Sequence, residues 1–124
     1  MIGRNELMSV LLNNVAEIVF LRRIPVLNRS AYRRMWCTNS SSLLGSFNGR
    51  TVLNYKIPTH IPKFNPATEN IIITWDILMQ DFRCVNMDSC DLVRSVPANQ
   101  DFWKFFNENI YTMSTQQKMQ FMDS

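Results

Sequence analysis

A chain of 124 residues, 46% of them apolar, is long enough for one domain with its own core and too apolar for a disordered segment. Its net charge of +3 is concentrated: residues 16–37 hold five arginines and one acid, for +4, while the rest of the chain sums to −1. No stretch of about 18 uncharged apolar residues occurs, so no membrane-spanning helix is expected. The first 23 residues carry Glu6 and Glu17 and no small-residue cleavage site, which argues against a signal peptide.

In chain order, Asn5 and Glu6 precede Leu7, Met8, Leu11 and Leu12, positions that share one helical face and predict a short N-terminal helix within residues 1–14. Residues 15–22 are rich in β-branched and aromatic side chains (Val15, Ile18, Val19, Phe20) and read as a strand. Pro25 and Asn28 mark a hairpin tip. Residues 31–38 read as the returning strand, with Tyr32, Arg34, Trp36 and Thr38 on one face and Arg33, Met35 and Cys37 on the other.

Residues 39–69 form the least regular region. A helical turn is expected near Leu43 and Leu44, and Pro58, Pro62 and Pro66 exclude a central strand. Three short strands follow. Ile71 to Trp75 is β-branched and aromatic, residues 81–87 partly alternate, and residues 90–96 end at Pro97; turns are expected at 76–80 and at Asp88-Ser89. After Pro97 the period changes. Asn99 and Asp101 offer a cap and an early acid before Phe102, Trp103, Phe105, Phe106 and Ile110, which predicts a C-terminal amphipathic helix. A second short helix is expected over 114–122. The whole reads as a single domain, mainly β with flanking helices: an N-terminal helix, a five-strand region over 15–96 with a Pro-rich loop, and a helical extension over 97–124.

No acid–base pair, nucleophile–base set, phosphate loop or metal-ligand cluster is visible, so no catalytic residue, metal or cofactor is expected. Cys37, Cys84 and Cys90 lack CxxC spacing and are expected as small reduced core residues in a cytosolic setting. His60, between Pro58 and Pro62, is expected to be an exposed loop residue without a chemical role. The arginine cluster is the foremost candidate site. Arg22, Arg23, Arg33 and Arg34 fall on two paired strands with Arg29 at the tip, and Tyr32 and Trp36 offer aromatic faces nearby. Arginine meets phosphate bidentately and stacks on bases, so the cluster fits nucleic acid, although such a patch is often only a solvated face that keeps a small protein soluble. Arg83 with Asp88 reads either as part of a ligand pocket or as a turn-locking ion pair. Phe102, Trp103 and Phe106 read as core against the strands or as a partner-binding face.

Several of these segments, in this order, resemble a family. Arg33-Arg34-Met35-Trp36-Cys37-Thr38 is followed by a Pro-rich loop from Gly45 to Pro66. Then come Ile71-Ile72-Ile73-Thr74-Trp75-Asp76 and Phe82-Arg83-Cys84-Val85-Asn86-Met87-Asp88-Ser89. Over roughly residues 15–96 this is similar to the small tailed-phage proteins with a WYL-related, Sm-like (SH3-like) β-barrel. Phe82, Val85 and Asn86 depart from that pattern, and Asn86 stands where the family has a second arginine. The resemblance implies a five-strand barrel, a location in the host cytoplasm, and binding of nucleic acid or a nucleotide-like ligand in regulation. The alternative partner is a host or phage protein complex, met through the C-terminal helix and the Pro-rich loop.

Overall fold

The computed structural model describes residues 1–59 and 62–124. His60 lies outside the described residues. The elements run α1 (Arg4–Asn13), β1 (Asn14–Leu21), β2 (Tyr32–Thr38), α2 (Ser41–Leu44), α3 (Phe47–Thr51), β3 (Ile71–Asp76), β4 (Asp81–Asn86), a 3₁₀ turn (Met87–Ser89), β5 (Asp91–Pro97), α4 (Gln100–Asn109) and α5 (Thr115–Met122). The five strands form one antiparallel sheet in the order β4-β3-β2-β1-β5, so β4 and β5 are its edges, and no ladder joins them among the described residues. The fold is mixed α/β, and no described helix is long and apolar enough to cross a membrane.

Both faces of this sheet are buried. Strand alternation sends Ala16, Ile18 and Phe20 of β1, Met35 and Cys37 of β2, Ile72 of β3 and Val85 of β4 to one face, where Leu7 and Leu11, one turn apart on α1, complete a first core. Val15, Trp36 and Trp75 belong to a second core with Leu43, Leu44, Leu53, Phe102, Phe106 and Ile110. Two-sided burial explains the near-continuous apolar runs at Val15-Ala16 and Ile71-Ile72-Ile73, which a strand with one wet face would not need. Burying one such large side chain stabilises by roughly 1.5–3 kcal/mol. A bulge in β5 serves both cores. Glu17 pairs with Arg94 while the next residue, Ile18, pairs with Leu92, leaving Val93 as the extra residue. Leu92 therefore packs on the first core and Val96 on the second.

The β2–β3 seam is short, with register pairs only at Cys37–Asp76 and Thr38–Trp75. Side chains take over where the ladder stops. Arg4 Nε donates to the Ile71 carbonyl (3.2 Å) and Asn39 Nδ2 to that of Ile73 (3.1 Å). The region expected to be irregular holds two helices, α2 and α3, capped by the hydroxyls of Ser40 and Ser46. Helix α3 was not anticipated from its sequence. It packs so closely under α2 that a Cβ on Gly49 would lie 2.1 Å from the Leu43 carbonyl oxygen, so only glycine fits there.

Cys37 and Cys90 are buried, as expected, but Cys84 is exposed, because the outward face of β4 at that position is uncovered. Burial pushes the Cys90 thiol up to about 12 and raises that of Cys37 as well. In the native protein at pH 8, one thiol of the three is expected to react promptly with an aromatic disulfide reagent, the other two only on unfolding. The unfolded chain releases the Cys37 and Cys90 protons near pH 8.5 while the folded chain keeps them. Stability should therefore fall as pH rises from about 8.5 toward 12. Urea midpoints across that range check the sign, and a flat profile would contradict it.

The candidate site at the β1–β2 hairpin

The hairpin is built by the pairing of β1 with β2 down to Leu21–Tyr32, and by a hydrogen bond from the Arg22 amide to the Ala31 carbonyl (2.9 Å). Asn28, at φ 63°, makes the turn. At the far tip the apolar side chains are left in solvent: Ile24 is 78% exposed and Leu27 88%. Behind the tip, Arg22, Arg23 and Arg33 line a cleft of about 390 Å³ together with Phe20, Ile24 and Cys84. Among the described residues no carboxylate lines it.

Four of the five arginines that charge density singled out meet three acids: Asp123 and Asp76 from distant parts of the chain, and Glu17 from β1 itself. Asp123, beyond the end of α5, bridges two of them, accepting from Arg22 Nη2 (2.9 Å) and Arg29 Nε (2.6 Å). The hydrogen bond from Arg29, more than that from Arg22, holds the Asp123 carboxyl below the usual carboxylate range. Arg33 crosses the short β2–β3 seam to Asp76, a carboxylate with 1% of its side chain exposed. The other Asp76 oxygen accepts from the amides of Leu78 (2.9 Å) and Met79 (3.1 Å), tying the same residue into the β3–β4 turn. Burial pushes the Asp76 carboxyl up and the Arg33 guanidinium down, so each charge is held at a desolvation cost that its partner only partly offsets.

On the opposite face, Glu17 is buried between two cations, accepting from Arg34 Nη1 (2.6 Å) and Arg94 Nε (2.8 Å). Cross-strand register accounts for this: Glu17 stands beside Trp36 on β2 and Arg94 on β5, with Arg34 one diagonal step away. Trp36, expected to offer an aromatic surface, is 3% exposed; Arg94 lies over its ring at 5.0 Å and Phe105 is 4.8 Å from it. Tyr32 is half exposed on the hairpin. Arg23 is exposed, with its guanidinium 5.6 Å from the Phe64 ring centre.

The other candidates go elsewhere. Arg83 pairs with Asp81 (3.0 Å), not with Asp88, because residues two apart on a strand share a face; Asp88 instead accepts from Asn70 Nδ2 (2.7 Å). The Arg83–Asp81 pair also covers the edge of the sheet, since the Phe82 amide donates to Asp81 (2.8 Å) and the Phe82 carbonyl accepts from Arg83 (2.8 Å). Phe102 and Phe106 are buried in the second core, and Trp103 is half buried against it.

Sequence reasoning did not name Asp76, Glu17, Arg94 or Asp123 as part of this site. Their pairings span up to 101 residues, and no local pattern marks them. Comparison with protein-family models, curated proteins and solved structures returned no match.

Proposed function

We propose that this chain is a non-enzymatic binding module that seats the phosphate of a nucleic acid or nucleotide-like ligand in the cleft behind the β1–β2 hairpin. The observation that carries this reading is the cleft lined by Arg22, Arg23 and Arg33 without an acid among its lining residues. Its size falls in the range of small-ligand sites, and clustered guanidiniums are suited to phosphate. The resemblance to small tailed-phage proteins points the same way and would place the chain in the host cytoplasm. Support for a Sm-like barrel comes from the strand order and from the 3₁₀ turn linking the two sheet edges, whose Ser89 hydroxyl accepts from the Leu21 amide (3.1 Å).

The test is fluorescence anisotropy with a short labelled oligothymidylate at low and moderate salt. Binding should weaken with salt, by about 0.7 in logarithmic slope per phosphate engaged. Arg23→Ala, which disturbs no ion pair among the described residues, is expected to reduce that slope by about 0.7. Bound oligonucleotide should also slow alkylation of Cys84, which lines the same cleft. No binding at low salt would sink the reading. A specific observation favours a second one: the exposed apolar tip at Ile24 and Leu27 suits a protein partner in a host or virion complex better than the buried face of α4 does. Loss of such a partner on Leu27→Asp, with oligonucleotide affinity unchanged, would favour it.

A further inference from the structure

We propose that the C-terminal segment Phe121–Asp123 occupies, in the free protein, the seat of one nucleotide unit, and that a single-stranded nucleic acid binds by displacing it. This rests on reading the arginine cleft as a phosphate site: the segment is not among the residues that line the cleft, but it holds Arg22 and Arg33, which do. The segment covers the hairpin arginines residue by residue. The Asp123 carboxylate bridges Arg22 and Arg29 with one oxygen on each, the way two oxygens of a phosphate would. The Phe121 ring lies 6.0 Å from the Arg34 guanidinium, the place of a base stacked on an arginine. Met122 Sδ is 3.8 Å from Arg33 Nη2, a weak acceptor in front of a strong donor. Two donors of the same arginines, Arg33 Nε and Arg34 Nε, are buried without a hydrogen-bond partner among the described residues, so a ligand richer in acceptors has donors to gain.

The cover is lightly anchored. Of α5 only Met122 is buried, Phe121 and Lys118 are half buried, and the rest of the helix faces solvent. A helix of eight residues has little stability of its own, and a segment with so few buried contacts opens readily. The ligand class follows from the spacing of the mimic. An acid and a planar ring two residues apart stand for a phosphate and an adjacent unpaired base, and only a strand with unstacked bases can lay one on Arg34.

Asp123→Asn keeps the shape of the segment and removes the competing charge. It should bind a short oligothymidylate about 10-fold more tightly than the unaltered chain. A duplex of equal length should bind both proteins more weakly than the single strand does. In the unaltered chain, adding the oligothymidylate should speed amide hydrogen exchange across residues 115–123. Equal affinity of the two proteins, tighter binding of the duplex, or unchanged exchange in α5 on binding would each overturn the displacement and leave the cleft reading standing. Absence of binding by both proteins would overturn the two together.

Discussion

Asp76→Ala is expected to lower the free energy of unfolding by about 3–5 kcal/mol, the cost of breaking a buried ion pair from one side. Two losses combine. The Leu78 and Met79 amides lose the acceptor that forms the β3–β4 turn, and the Arg33 guanidinium, 11% exposed, is left as an uncompensated buried cation. Three companions separate these contributions. Asp76→Asn keeps an oxygen for the turn and loses only the charge, so its cost should be intermediate. Arg33→Met keeps an apolar stem but strands the Asp76 carboxylate, whose side chain is 1% exposed, so it too should cost about 3–5 kcal/mol. The double variant Asp76→Ala/Arg33→Met should be less destabilised than the two single losses added together, because neither charge is then left stranded. Urea unfolding at constant m-value measures all four. A loss below about 1 kcal/mol for Asp76→Ala would mean that Arg33 swings to water or to another acceptor, and that the short β2–β3 seam does not depend on it.

This hub marks the limit of what local patterns disclose. The strands were legible because Val15–Phe20 and Ile71–Trp75 are β-branched and aromatic, and α1 because Leu7 and Leu11 sit one turn apart. Their bounds shift by a residue or two, as caps and bulges decide them. The second core was signalled by runs too apolar for a one-faced strand and by the amphipathic period of α4, while the short helices α2 and α3 are weak in pattern. Phe47-Asn48-Gly49-Arg50-Thr51 shows no apolar period, and α3 exists because Ser46 caps it and Gly49 lets it approach α2. The hairpin arginines stood out by charge density alone. Their neutralisation did not, because Asp76, Glu17 and Asp123 come from β3, β1 and the end of α5, and only the fold brings them together. Alternation placed Trp36 correctly beside Arg34 and Tyr32, but cannot say that α4 covers the inner part of that face and leaves the hairpin end bare.

The largest effect on the helical layer should come from Phe102→Ala, expected to cost about 3–5 kcal/mol. Phe102 is fully buried, with its ring 5.1 Å from that of Trp103 and 5.7 Å from that of Phe106, and it belongs to the core that joins α4 to Val15, Trp36 and Trp75 on the sheet. Truncation removes the transfer free energy of the ring and leaves a cavity among groups held by α4 and the sheet, so little collapse can fill it. Phe105→Ala, at a half-buried position beside Trp36, should cost less, about 1–2 kcal/mol. Thermal and urea unfolding followed by tryptophan fluorescence report the layer directly, because Trp36 and Trp75 are in this core and Trp103 packs against it. The loss should appear as one cooperative shift of the whole transition. If instead the global midpoint holds and only α4 and α5 gain hydrogen exchange, the first core sustains the sheet unaided. The helical layer is then a separable cover, and a tail that leaves the arginines would take α4 with it.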